Sequence, residues 1–291
     1  MKGFYSIWTK PFFDSNSKKE FYMRDFELLT LMVSSLEWRK HNGPVKMFAD
    51  DTALQYLKKM GLQELFDNGM ESFTVDEDIN PRVFWAAGKL YALRQLHEPM
   101  AMIDLDLIVW KNVDDFLATG DIMVIHREEL RPHIYPDFSF FHMNSGYQFS
   151  RSLDAEALPC NTAFLFLKSM EFKNAYVDSA LQFMKNCVET QENLCHMVFA
   201  EQRLIAALAT SYGQKISAAF PLAADIGNQD MFTHLWGHKN ILKYNYRERM
   251  SYCVRCLHRI REEFPDWYEK IKSTKALQTE FEEYIRILES A

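Results

Sequence analysis

The chain has 291 residues, of which 48% are hydrophobic and 14% aromatic, and carries a net charge of −7. Length and apolar content fit one large α/β domain with an appendage and exclude a disordered chain. No stretch is densely basic and no apolar run approaches the ~18–20 residues of a membrane span, which argues against nucleic-acid binding and a transmembrane segment. The start reaches Lys10-Pro11 too soon for a signal-peptide core, and five cysteines, an odd count, fit reduced thiols in a cytoplasm.

In chain order, 4–8 reads as a buried aromatic strand entering a loop. Apolar residues at helical spacing follow over 19–39, and Asn42-Gly43-Pro44 closes that helix. A strand at 45–49, a helix at 54–60 and a weaker strand at 71–75 come next. Asn80-Pro81 predicts a helix start, with a cap acceptor followed by proline in the first turn, and that helix is expected to run to about Leu96. Further strands are expected at 100–103, 122–125, 163–167 and 216–220, and helices at 172–186 and 195–210. This alternation predicts a mainly parallel sheet flanked by helices. Residues 127–159, rich in aromatic, Pro, His and Ser residues, read as a long functional loop. Beyond about Lys243 the chain turns charged and helical, as at 267–275 and 277–288. The expected organisation is therefore a domain at 1–243 and a C-terminal helical extension at 244–291.

The most informative stretch is Met100-Ala101-Met102-Ile103-Asp104-Leu105-Asp106, an apolar strand running into Asp-x-Asp. Alternation along a strand predicts that Asp104 and Asp106 share a face while Leu105 turns into the core. Carboxylates so close repel unless a cation lies between them, and Mn²⁺ or Mg²⁺ suits oxygen ligands. In open α/β sheets, ligands bind beyond the carboxyl ends of strands. A chain this long holds about one Asp-x-Asp by chance, so context has to decide. The second match, Asp76-Glu77-Asp78, has no apolar strand ahead of it and reads as a solvated loop.

With these residues in view, the sequence resembles GT-A-type nucleotide-sugar glycosyltransferases. It is especially similar to an uncharacterised bacterial glycosyltransferase-like family that opens as this chain does at 4–12. Matching segments are Phe84-Trp85-Ala86-Ala87-Gly88-Lys89-Leu90-Tyr91-Ala92-Leu93, Asp104-Leu105-Asp106, Asn161-Thr162-Ala163-Phe164 and Thr233-His234-Leu235-Trp236-Gly237-His238-Lys239. The resemblance implies a GT-A-like fold and a metal-dependent transferase. Its donor would be a nucleotide-diphosphate sugar, UDP-sugar first, and its acceptor a surface glycan or glycolipid, with peripheral membrane contact left open. It also implies that a late histidine, His234 or His238, joins Asp104 and Asp106 at the metal.

Around that centre, Gly237 would let backbone approach a phosphate and Lys239 would offset diphosphate charge. Trp8 is a candidate to stack on a nucleobase, or else a core tryptophan. Lys10 and Lys89 are candidate diphosphate or sugar contacts. Asn161 is placed to hydrogen-bond donor-sugar hydroxyls, and Glu201 to bind acceptor hydroxyls or act as base, unless it is a helix-dipole partner. His133, Tyr135, Phe138, His142 and Tyr147 are candidates for an acceptor platform, or for simple cover of the core. The rival enzyme reading is a haloacid-dehalogenase-like phosphatase, whose usual Gly-Thr is replaced here by Leu107-Ile108. The rival outside enzymology is a non-catalytic carbohydrate-binding relative. Cys253 and Cys256, with His258, suggest zinc only if Cys195-His196 completes the set; buried reduced thiols are the simpler expectation.

Overall fold

The computed structural model of the chain describes residues 1–16, 20–191 and 194–290. Lys19, the expected start of the first long helix, and Ala291, the end of the expected extension, lie outside the described residues. Strand β1 (Gly3–Ile7) leads through α1 (Lys10–Ser15) and α2 (Asp25–His41) to β2 (Val45–Ala49), α3 (Asp51–Lys59) and β3 (Met70–Ser72). Then come α4 (Ala87–Gln95), β4 (Ala101–Ile103), β5 (Leu107–Val109), α5 (Asp114–Leu117), β6 (Ile122–Val124) and β7 (Phe164–Leu167). Helix α6 (Met170–Asn186) precedes α7 (Leu194–Val198), a π-helical turn at Phe199–Arg203 and α8 (Leu204–Ser211). The chain closes with β8 (Ile216–Ala218), β9 (Phe232–His234), α9 (His238–Tyr244), α10 (Tyr246–Glu263), α11 (Pro265–Ser273) and α12 (Lys275–Ser290).

Seven strands form one sheet in the order β3-β2-β1-β4-β7-β6-β8. All neighbours pair parallel except β7, which is antiparallel to both β4 and β6. The expected class, a mainly parallel sheet flanked by helices with a helical C-terminal region, is the one observed. Side-chain alternation builds it. Phe4, Phe48, Met102, Ile122 and Leu165 enter one apolar cluster with residues of α4, α6 and α8. Tyr5, Met47, Ile103, Met123 and Phe164 enter the opposite cluster with residues of α2 and α10 to α12. A period of two on buried strands thus feeds two cores at once. Helix α2 is apolar on nearly all sides because it lies between sheet and α10, where Thr30 Oγ1 and Tyr252 Oη meet at 2.8 Å.

Local expectations were corrected at three places. Asn80 starts a turn, with its side chain accepting from Arg82 N and its carbonyl from Phe84 N, and the helix begins only at Ala87. The Asp-x-Asp run is a turn, closed by Leu107 N donating to Asp104 O at 3.0 Å, between two short strands. Leu105 accordingly lines the cleft that the pair faces, instead of turning wholly inward. The long 127–159 segment is packed as much as it is a loop. Phe138, Phe141 and Phe149 stack with Phe183 of α6 and Phe199 of the π-helical turn.

Candidate active site

Chain order reverses direction between β1 and β4, since β2 and β3 extend the sheet one way and β7 the other. The carboxyl ends of those two adjacent parallel strands therefore diverge into a crevice, the usual ligand position in such sheets. A cleft of about 840 Å³ opens there, lined by Trp8 just beyond β1 and by Asp104, Leu105 and Asp106 just beyond β4. Thr9 fixes the turn: its amide and hydroxyl donate to Asp50 Oδ2 at 2.6 and 2.8 Å. That bend sends Trp8 to the cleft and turns Lys10 to solvent, so Lys10 does not line it. Gly88 is required beside Trp8, since a Cβ there would stand 2.7 Å from Trp8 Cβ.

His234 reaches the acidic pair through sheet pairing. Strands β5 and β9 run antiparallel with Leu107 opposite His234, and Leu235 N donates to Asp106 O at 3.0 Å. Ligand atoms of Asp104, Asp106 and His234 lie within 4.8 Å of one another, the one such group of three among the described residues. His238 begins α9 outside this group, and so does Gly237, which caps that helix in open space. His234 Nε2 is 3.5 Å and Lys239 Nζ 2.6 Å from Asp106 Oδ2.

Lys89 stands between two acids. Its Nζ donates to Glu201 Oε1 at 2.6 Å and pairs with Asp104 Oδ1 at 2.6 Å. Burial pulls the Lys89 pKa down, but the charges of Asp104 and Glu201 outweigh it and hold the ammonium firmly charged. Burial raises the Asp104 pKa, with Asp106 and Glu201 adding repulsion that Lys89 partly offsets. Asp106 goes the other way: burial also pushes it up, yet His234 and Lys239 hold its carboxyl well below the usual range. Opposed shifts at neighbouring carboxylates occur at functional sites and also in structural ion-pair networks.

Asn161 is buried at the cleft wall, its Oδ1 accepting from Ala163 N at 3.2 Å and its amide 3.5 Å from Glu128 Oε1. Glu201, inside the π-helical turn, also accepts from Thr162 Oγ1 at 3.0 Å, so its Oε1 is shared rather than open. Of the five proposed platform residues only Tyr135 lines the cleft, donating to Gln202 Oε1 at 2.6 Å. Phe138 packs under Arg203, and His133 and His142 face solvent. Sequence reasoning passed over Thr162, although it stands inside a motif already quoted. It also passed over Glu128, which lines the cleft with His126 Nδ1 3.6 Å behind it. Asp76 and Asp78 pair with Lys185 away from the cleft. Cys253 and Cys256 are buried on α10, no disulfide joins the cysteines, and none belongs to a candidate metal group among the described residues. No helix among these residues is long and apolar enough to cross a membrane.

The chain belongs to a family of unknown function (DUF6734), whose model matches residues 1–274. Comparison with curated proteins gives no match. Several solved structures similar to it are glycosyltransferases. The galactosyltransferase LgtC, in complex with donor and acceptor sugar analogs, is 9% identical, with 69% of this chain and 70% of that one covered and a TM-score of 0.37. Mouse xyloside xylosyltransferase 1 is 9% identical over 75% of this chain and 85% of its own, with a TM-score of 0.39. The bifunctional WbbM is 10% identical over 75% of this chain and 38% of its own, with a TM-score of 0.42. At this distance the chemistry has to be read from the chain's own side chains.

Proposed function

We propose that the chain transfers a sugar from a nucleoside-diphosphate sugar, UDP-sugar being the first candidate, to a hydroxyl of a glycan or glycolipid acceptor. The observation that carries this reading is the meeting of Asp104, Asp106 and His234 on the wall of a cleft at the β1/β4 switch point. The cleft has the ~300–1,000 Å³ typical of small-molecule sites. The donor set fits a divalent cation: two carboxylates and an imidazole, with ligand atoms within 4.8 Å of one another, are acceptable ligands for Mn²⁺, or less fully for Mg²⁺. Such an ion, when bound, supplies positive charge to a diphosphate leaving group.

The chain's own residues divide the remaining work. Lys239, half-exposed beside Asp106, adds a mobile positive charge where a diphosphate would lie. Trp8 offers a flat face for a base, and Asn161 an amide for sugar hydroxyls. Glu201 holds Lys89, and Lys89 holds Asp104, so the pair act as positioning residues for the cation ligand. Tyr135 and Ile134, from the long packed segment, help wall the cleft, which favours an acceptor hydroxyl over water.

A thermal-shift screen of nucleotide sugars with and without Mn²⁺, on the wild type and on Asp106→Ala, tests the site. The expected result is stabilisation by one donor class that needs both the ion and Asp106. Stabilisation needing neither rejects the site as drawn. Mn²⁺-dependent donor hydrolysis separates a transferase from a binding protein of the same fold.

A further inference from the structure

Four of the chain's large exposed apolar side chains crowd into eleven residues next to the cleft: Trp236 (65% exposed), Ile241 (46%), Tyr244 (79%) and Tyr246 (52%). Leu242 alone in this stretch is fully buried and anchors α9 to the core. Residues 236–249 hold four bases, Lys239, Lys243, Arg247 and Arg249, and one acid, Glu248, on a chain whose overall charge is −7. Lys239 is paired with Asp106 and Arg249 with Asp25, and Tyr246 Oη donates to Glu283 at 2.5 Å, while Lys243 and Arg247 are exposed. Lys243 Nζ lies 5.3 Å from the Tyr244 ring centre. Lys243 and Arg247 therefore offer basic groups to solvent beside the exposed rings, on a molecule of the opposite net sign. Tryptophan and tyrosine with interleaved basic residues are the side chains that settle at a lipid headgroup layer, where rings take the boundary and ammonium and guanidinium groups meet lipid phosphates.

The geometry points to the 236–249 corner as a docking surface for an anionic lipid bilayer. Its position gives that docking a use. Leu235 and Trp236 line the cleft, Leu235 N is bonded to Asp106 O, and Lys239 pairs with Asp106, so the corner begins where the acid cluster ends. A protein seated on this corner holds the mouth of the cleft against the headgroup layer, in reach of a lipid-borne acceptor. This use rests on the transfer reading; the docking itself does not.

Co-sedimentation of the full chain with phosphatidylcholine vesicles, with and without phosphatidylglycerol, tests the docking. The wild type is expected to pellet with the anionic vesicles and not with the neutral ones. Lys243→Glu/Arg247→Glu is expected to lower partitioning at least about tenfold. Ile241→Ser/Tyr244→Ser should lower it similarly while salt dependence persists. Lys58→Glu/Lys59→Glu on α3, the same charge change on another face, should leave it unaltered. Absence of binding to anionic vesicles overturns the proposal, as does equal loss in the α3 control or wild-type binding by both corner variants. Self-association through the corner, read as a dimer by gel filtration that the Ile241→Ser/Tyr244→Ser change dissolves, also overturns it. Mn²⁺-dependent donor hydrolysis, measured without vesicles, reports separately on the transfer reading.

Discussion

Lys89 carries more of the site's electrostatics than a single cation on a helix usually does. It faces Asp104 and Glu201 at 2.6 Å each, in a setting where little solvent screens them. Lys89→Met should leave two buried carboxylates without their counter-charge and cost about 3 kcal/mol of stability, read from urea unfolding. A loss under about 0.5 kcal/mol would mean that the two acids are better solvated than the geometry implies. The cysteines give a contrasting expectation. Burial pushes the Cys160 thiol up to about 11 and the Cys256 thiol up to about 12, and Cys187 is raised less and is only half-buried. At pH 8 a thiol at about 11 is ionised roughly one part in a thousand. Iodoacetamide should therefore label Cys187 first in the native protein and reach Cys160 and Cys256 only after denaturation, as peptide mass spectrometry would resolve.

At the scale of elements, the site depends on how α4 is held, because α4 carries Gly88 and Lys89. Its C-terminal carbonyls at Leu93 and Leu96 accept from Lys173 Nζ at 3.1 and 3.0 Å, a buried ammonium reaching across from α6. A cation at a helix C-terminus satisfies carbonyls that the helix itself cannot. Lys173→Met should keep most of the packing, lose those donors and destabilise the fold by about 2 kcal/mol, measured as a shift in denaturation midpoint. Gly88→Ala tests the other end of α4. The added methyl meets Trp8 Cβ and Phe73, so the expected outcome is at least about 1 kcal/mol of destabilisation, with a changed Trp8 fluorescence reporting the displaced ring.

For the whole molecule, the boundary after residue 243 stays a proposal about organisation, and the packing makes a prediction about it. Helices α10 to α12 share one apolar cluster with α2 and the sheet, and Arg259 Nε donates to the fully buried Glu37 at 2.7 Å. Truncation after Lys243 would uncover Leu257, Ile260, Phe281 and their partners and remove Arg259 from Glu37, leaving it His41 Nε2 at 3.3 Å. The truncated chain is expected to lose cooperative unfolding, or to aggregate on expression, by circular dichroism and light scattering. A soluble fragment with an unchanged melting transition would make the extension separable.

Legibility in the sequence follows the range of the forces involved. Period-two apolar strands and the mainly parallel α/β class could be read because side-chain alternation acts over a few residues, whereas α3 begins at Asp51 on an Asp50 cap, ahead of the expected 54. The apolar run into Asp104 was equally readable. The direction of Leu105 was misread because one hydrogen bond, Leu107 N to Asp104 O, turns a strand into a tight turn without altering its composition. Asn80-Pro81 misled in the same way, since a cap and a proline serve a turn as well as a helix. Aromatic content could not separate Tyr135 at the cleft from Phe138 in the core. Amino-acid order alone determined which acids, amides and lysines were available, and which strands would be buried on both faces. Only the tertiary structure decided that His234, rather than His238, stands beside Asp106, and that Lys89 joins Asp104 to Glu201. Those meetings depend on β5–β9 pairing and on α4 docking, which bring together segments far apart in the chain, and no local pattern encodes the closure of so long a loop.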